Sequence, residues 1–545
     1  MWILEGGAKP QWQIFRHNGP LFPPEYIPHQ KPIIFKGEEI LLPPLAEEYA
    51  SLYSKYINTE YIEKPKFNKN FFKDFKKVLP DNLKNSVIED FDFSIIKEHI
   101  DRENEKKKEM SKEEKEAIKK RQDVQEEPYK YCVINGAQQK VGNYKIEPPG
   151  IFLGRGEHPK LGMIKRRIYP KDIILNLDKE APIPKIQIKN MSEDELRNQK
   201  WGDIIHDNSV IWLATWKDNI TNKNKYIFTS MESIFKSKSD ESKFDLAKKL
   251  KRKAAKIRET YIRQLDSDDN KVRQLATALY FIDNLALRVG GKKDKKEEAD
   301  TVGVTSLRVE HISLLPPNIV KLDFLAKDSV RFCKKVSAIK PVFDNLITFT
   351  NNKSRKDQLF DLINPSMMNK YLDDFMKDLT AKVWRTYNAS FVFQKELDKI
   401  NEDKVKAIHE SERINYLINM FNQANTTVAL LCNHQKNVSN KLDEQVDKLV
   451  KKIKELQKKK KKYLEKKKRE LADKINSKIK LAKLKRDNKM RMKNVSLGTS
   501  KMNYIDPRII FAFIKKFDIP PEKLFTAVLL KRFDWASKVE KDYRF

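Results

Sequence analysis

The sequence predicts a multidomain α+β protein, on three observations. The first 235 or so positions carry short apolar runs broken by prolines and turn residues, the pattern of strands. From about 240 the apolar positions recur every three or four residues, the period of helices. Residues 439–493 then form a Lys-rich arm that neither Gly nor Pro interrupts. At 545 residues the chain is long enough for several cores, and 39% hydrophobic content supports folded domains.

Taken in order, residues 1 to about 100 include HNGPLFPPEYIPHQKPIIF, where the prolines predict short strands and turns. Residues 101–127 hold almost no apolar side chains. They predict a solvated helix pair, with Ser111 and Glu114 as a capping box. Strand-like runs return between 130 and 235 as YCVIN, IFLG, SVIWLATW and KYIFTS. FDLAKKLKRKAAKIRETYIRQL predicts an amphipathic helix, and VRQLATALYFIDNLALRVG a core helix ending at Gly290. Strands follow at VKLDFLA and RFCKKV, then helices from 366 to about 433.

In the arm, Leu442, Val446, Leu449, Ile453 and Leu456 step 4-3-4-3, a short heptad seam. The seam thins through KKKKK at 458–462 and resumes at Leu471, Ile475, Ile479 and Leu484. A single helix of this length reaches roughly 80 Å. A hairpin of two helices reaches about half of that and returns the chain to its start. Both readings satisfy the pattern.

Charge narrows the class of partner. Lys and Arg number 110 against 77 Asp and Glu, a net +33. The arm alone holds 23 Lys and Arg against 8 Asp and Glu. Such a surplus favours a polyanion, nucleic acid before an acidic membrane surface. No run of about 18 apolar residues suggests a spanning helix. Cys132, Cys333 and Cys432 form no C-x-x-C pair, so neither a zinc site nor a disulfide framework is indicated, and a reducing compartment is expected. MWILEGGAKP lacks a basic-led apolar signal segment. Neither a P-loop nor H-E-x-x-H is present, so the chemistry is expected to run on side chains.

Five residues stand out in apolar frames. Arg288 ends LALRVGG, Lys327 follows a strand in FLAKDSVRF, and Arg385 sits between Trp384 and Tyr387 in LTAKVWRTYNAS. His434 closes VALLCNHQ, and Tyr504 lies in SKMNYIDPR after the arm. Each has a plain structural reading: Arg288 and His434 as helix-end residues, Lys327 as a turn-borne charge, Arg385 as a cation stacked on an aromatic, Tyr504 as packing. As a set they suit metal-free phosphoryl transfer. A phenol, which ordinarily keeps its proton to about pH 10, needs cationic company to react near neutrality. Two guanidinium forks and a His can stabilise charge on a five-coordinate phosphorus, and a Lys can protonate the leaving oxygen.

From about residue 10 to its end the chain resembles the eukaryotic type IB DNA topoisomerases. The resemblance rests on KNFFKDF, NYKIEPPGIFLGRGEHPKLGMIKRRI, ALYFIDNLALRVG, ADTVGVTSLRVEHI, LTAKVWRTYNAS, LLCNHQ and LGTSKMNYIDPRI, which occur in family order. It implies nicking of one DNA strand through a 3′-phosphotyrosine, rotation and resealing, so that positive and negative supercoils relax. Neither ATP nor an obligatory metal is implied; magnesium would at most stimulate. Duplex DNA, read with little sequence preference, is the implied partner, and the implied form is a nuclear monomer of chromatin and nucleolus.

The implied architecture is a two-lobed DNA clamp. Residues 1–233 would form a mixed cap lobe, 234–437 a mainly helical catalytic lobe, 438–493 a helical-hairpin linker, and 494–545 a small helical domain bearing the tyrosine. By the same resemblance Tyr504 is the nucleophile, and Arg288 and Arg385 bind the phosphate. His434 bonds a non-bridging oxygen, and Lys327 contacts DNA and acts as general acid. Arg155, His158, Lys165, Thr499 and Asn503 are DNA-facing positions, and Arg155, Asp328 and Asn503 match sites of camptothecin-type poisons.

Leu153 stands where the family usually has Arg, Ala326 where it has Gly, and Trp384 where it has Phe. The chain also opens almost directly into the core region, as a truncated piece or a naturally short form would. Two rival readings fit part of the pattern: a tyrosine site-specific recombinase, with a similar Arg/Lys/His/Arg/Tyr set, and a non-enzymatic architectural DNA binder built on charge.

Overall fold

The computed structural model describes residues 10–435 and 442–545. The opening nine residues and the expected 437/438 domain boundary lie outside them. The chain divides into two compact units, Met1–Ile234 with Lys293–Asp300, and Phe235–Lys292 with Thr301–Phe545.

The first unit is a set of small sheets around an aromatic core. Phe15–His17, Tyr131–Ile134 and Ala137–Lys140 make one antiparallel sheet. A second runs Glu38–Ile40, Ile33–Phe35, Phe91–Asp92. A third runs Asp203–Ile205, Ile174–Asn176, Trp212–Lys217, Asn224–Phe228, with its first pair parallel. Gly150–Ile151 pairs with Ile164–Lys165.

The first hundred residues correct the expectation of strands and turns, for they also contain the helices Pro44–Ser54 and Pro65–Phe75. Both begin with a proline in the first turn, where its missing N–H costs nothing and its fixed φ suits the helix. Pro44 and Pro65 mark helix starts, while Pro32 directly precedes the strand Ile33–Phe35. Phe67, Phe71, Phe72 and Phe75 lie buried at helical spacing and pack with Tyr53, Phe91 and Phe93. The expected solvated pair is Ser94–Glu109 and Lys112–Glu126. At its junction Glu114 N donates to Ser111 Oγ (3.1 Å) and Ser111 N to the Glu114 carboxylate (2.8 Å).

In the second unit a three-stranded antiparallel sheet, Ile312–Leu315, Ile319–Leu325 and Arg331–Ser337, joins helices around one continuous core. These helices include Ile234–Gln264, Asn270–Leu285, Lys340–Thr350, Pro365–Phe375, Ala381–Leu397 and Glu410–Leu431. Ile505, Ile509, Ile510, Phe513 and Phe533 from the C-terminal stretch belong to the same core.

The helix expected to run to Gly290 stops at Leu285. Ala286 turns left-handed (φ 49°, ψ 36°), and the chain runs on to hydrogen-bond with Val304 and Thr305. Val304 N donates to Arg288 O (2.9 Å) and Thr305 N to Val289 O (2.8 Å). Gly290 and Gly303 make this pairing possible: a Cβ on Gly290 would meet Gly303 Cα at 2.3 Å. Apolar periodicity runs through LALRVG unchanged, so it could not mark this end.

The Lys-rich arm is a hairpin of two helices, Leu442–Glu465 and Arg469–Arg491. Lys467 turns left-handed (φ 54°) between them, and Lys468 N donates to Tyr463 O (2.9 Å). Ile453 is buried from one helix and Ala472, Ile475, Ile479 and Ala482 from the other. Leu471, expected on this seam, is exposed; the small Ala472 next to it takes the inward position beside the turn. The returning helix docks on Glu410–Leu431 through Asn488 Nδ2, which donates to Asn419 O (2.9 Å). At the base, Gln435 bridges Val495 and Ser496 N donates to His434 O (2.9 Å), so entry and exit of the arm meet.

Candidate active site

That closure at the base of the arm brings four of the five singled-out residues together. Arg385 projects from Ala381–Leu397 and is buried, 5% exposed. His434 follows the end of Glu410–Leu431 at Leu431. Asn433 takes a left-handed turn (φ 53°) that lets His434 N donate back to Ala429 O (2.8 Å). Asn tolerates that conformation better than most residues. Tyr504 caps the short helix Leu497–Asn503, its N donating to Ser500 O (2.9 Å) and its O accepting from Ser390 Oγ (3.0 Å). Arg288 lies past the helix end, in the segment held by 303–305.

Tyr504 is the hub. Its ring stacks on the His434 imidazole, centroids 5.4 Å apart and planes 25° apart. The Arg385 guanidinium lies 5.1 Å and that of Arg288 6.0 Å from the ring centre, within reach of cation–π attraction. Arg385 donates from Nη1 to Ala286 O and from Nη2 to Cys432 O, and Nη2 is also 3.5 Å from His434 Nε2. The two carbonyls fix the fork in place, and Nε is buried with no partner in the described residues. His434 Nδ1 is 2.7 Å from Ser500 Oγ.

These residues line a cavity of about 590 Å³ with Lys327, Asp328, Thr499 and Asn503. Lys327 does not join the tight cluster. It sits, exposed, on the turn between the paired strand ends Leu325 and Arg331. Asp328 and Ser329 there are left-handed (φ 67° and 58°), and Ala326 N closes the turn on Val330 O (2.8 Å). Asn503 Nδ2 donates to Thr499 O (3.2 Å), which holds both on one helical turn.

Burial, then the cations Arg385 and Arg288, pull the His434 pKa from 6.5 down to about 3, so the ring is neutral at physiological pH. Lys243 lines the same cavity and donates to Asn503 O (3.1 Å) and Asp240 Oδ1 (3.1 Å). Burial lowers its pKa to about 8 against the pull of Asp240. Asp240 also accepts from Arg532 Nε (2.6 Å) and from Lys236.

The sequence reading missed Ser500, Lys243 and the buried acid Asp283. Ser500 stands one turn before Tyr504 in the same motif, a usable signal; the other two are visible only in three dimensions. Asp283 accepts from Arg258 (2.7 and 2.8 Å), Tyr261 Oη (2.8 Å) and Trp384 Nε1 (2.9 Å). It thereby ties the helix before Arg288 to the helix carrying Arg385.

Arg155, His158 and Lys165 lie in the first unit. Arg155 is exposed on a loop bend. His158 packs edge-on against Phe152 (4.8 Å), and burial lowers its pKa. Lys165 Nζ pairs with the Glu147 carboxylate (2.6 Å). No helix of the described residues is long and apolar enough to cross a membrane.

One wall of the cavity thus gathers a phenol, two guanidiniums and a neutral imidazole. Comparison with known proteins gives the class. Three family models cover the chain in order: eukaryotic DNA topoisomerase I, DNA binding fragment, at residues 10–229; its catalytic core at 232–468; and the C-terminal topoisomerase domain at 476–545. The chain belongs to the eukaryotic DNA topoisomerase I family.

It is 40% identical to DNA topoisomerase 1 beta of Arabidopsis thaliana, over 100% of this chain and 60% of the relative. Against DNA topoisomerase 1 of Caenorhabditis elegans the figures are 41%, 96% and 66%. Against DNA topoisomerase 1 of Homo sapiens they are 38%, 98% and 72%. The chain thus spans 60% and 66% of the first two of these.

Proposed function

We propose that this chain relaxes positive and negative supercoils in duplex DNA through a transient 3′-phosphotyrosine on Tyr504. The observation that carries the reading is the meeting of Tyr504, His434, Arg385 and Arg288 at one cavity wall. Arg385 and Arg288 would hold the scissile phosphate and offset the charge that grows on it, with His434 bonding a non-bridging oxygen. The phenol gives its proton to solvent as its oxygen attacks phosphorus, and the 5′-oxygen leaves as a hydroxyl with a proton from Lys327, whose exposed turn gives it room to reach in. Religation reverses each step. The bond energy is kept in the phosphotyrosine, so the cycle needs no ATP, and the two guanidiniums would offset the charge for which an obligatory metal would otherwise be needed.

Arg155, His158, Lys165, Thr499 and Asn503 are read as DNA contacts, and Arg155, Asp328 and Asn503 as contacts for camptothecin-type poisons. The domains are read as a cap over residues 1–233, a catalytic lobe over 234–437, a linker over 438–493 and the tyrosine-bearing domain over 494–545. Together they would act as a nuclear monomer that clamps DNA with little sequence preference. The net charge of +33 supports phosphate-directed binding.

The test is relaxation of a negatively supercoiled plasmid free of recombination sites, in EDTA and without ATP. Relaxation is expected, with more covalent complex when camptothecin is added. A requirement for a defined site favours the recombinase reading, and a chain that binds but never relaxes favours the architectural one.

A further inference from the structure

We infer that Ser500 is a positioning residue that governs which nitrogen of His434 carries the proton, and so whether Nε2 can donate to a phosphate oxygen. The inference rests on the function proposed above. Both side chains are buried, Ser500 fully, and Nδ1 and Oγ are 2.7 Å apart. The other ring nitrogen, Nε2, faces Arg385 Nη2 at 3.5 Å. A guanidinium only donates, so Nε2 is the acceptor here, and the single proton of the neutral ring sits on Nδ1, donated to Ser500 Oγ.

That tautomer is the wrong one for phosphate. A non-bridging oxygen only accepts, so Nε2 must then bear the hydrogen. With a phosphate oxygen seated at Nε2, the ring gives up its Nδ1 proton to solvent and takes one from solvent at Nε2, with no net change in charge. Ser500 answers by turning its hydroxyl from acceptor to donor, which a hydroxyl can do and a carbonyl or ammonium cannot. The groups that face the ring from the packed segments are Arg385, Arg288, Tyr504 and Ser500. Ser500 alone of these contacts Nδ1. Its backbone carbonyl also accepts from Tyr504 N (2.9 Å) and Ile505 N (3.0 Å), so one residue ties the imidazole to the tyrosine.

The experiment uses the full chain labelled with ¹⁵N-histidine, the ring signals of His434 being assigned by their loss in His434→Gln. The free protein should show Nδ1–H, and the complex with a nicked duplex oligonucleotide Nε2–H. In Ser500→Ala the ring should no longer switch cleanly. Single-turnover adduct formation should slow about tenfold in Ser500→Ala, the loss of one buried hydrogen bond. In the His434→Gln background the same change should cost less than twofold, since Gln has no ring tautomer. Nε2–H in both states, or an equal cost of Ser500→Ala in both backgrounds, would overturn the inference. A wild-type chain that forms no adduct would overturn the underlying reading as well; an adduct-forming chain indifferent to Ser500 overturns the inference alone.

Discussion

Tyr504 and His434 lie ring over ring, 5.4 Å apart, although a two-helix arm separates them along the chain. The contact exists because the arm closes at its base, where Gln435 bridges Val495. Stacking fixes the plane of the phenol, and Arg385 and Arg288 approach the same ring. The phenol ring is therefore held between fixed neighbours.

Arg385→Lys should cut the plasmid relaxation rate by about 100-fold or more, the cost of losing one preorganised donor. An ammonium is a point charge and cannot serve Ala286 O, Cys432 O and a phosphate as a planar fork does. Carbonyls left unpaired should also lower stability by about 1–3 kcal/mol. A near-wild-type rate and melting temperature would contradict this assignment.

Acidification should destabilise the fold in a defined window. His434, at about 3, and His17, lowered to about 4 chiefly by burial, stay neutral in the folded chain. In the unfolded chain both take up protons near pH 6.5. Between those limits the unfolded state binds more protons, so stability falls as pH drops from 6.5. Each group contributes up to about 1.4 kcal/mol per pH unit. Thermal melts at pH 7, 6 and 5 read the slope, and His434→Gln should make it shallower while His17 keeps part of it. A flat wild-type profile would contradict the burial argument.

Trp384→Phe should lower thermal stability by about 1–3 kcal/mol while leaving relaxation within severalfold of wild type. The indole is fully buried and its Nε1 donates to Asp283. Phenylalanine keeps the ring but drops that bond and leaves a gap. Asn388 Nδ2 still donates to Asp283 O (2.6 Å), so the helix before Arg288 and the helix carrying Arg385 should stay in register. Unchanged stability would show that the bond to Asp283 contributes little.

The sequence carried much of this, and unevenly. The helix pair with Ser111 and Glu114 was legible because capping chemistry is local. The apolar pattern of the arm made it legible as helical, and only the family resemblance implied a hairpin, because a heptad seam looks the same on one long helix or two. Nothing in KKYLEKKKREL marks the turn that Lys467 makes. Pro44 and Pro65 misled, since the same residue ends strands and starts helices. The five reactive residue types could be singled out one by one. Their meeting depends on tertiary closure, and the support from Ser500, Asp283 and Lys243 depends on it entirely.

The most direct test of the central claim is the DNA-linked peptide. The full chain is incubated with a nicked duplex oligonucleotide, the covalent adduct is trapped with denaturant, and the peptide is mapped by mass spectrometry. The phosphate should be on Tyr504, and Tyr504→Phe should bind duplex DNA with unchanged affinity yet form no adduct and relax no plasmid. An adduct on any other residue, or nicking by Tyr504→Phe, would contradict the account.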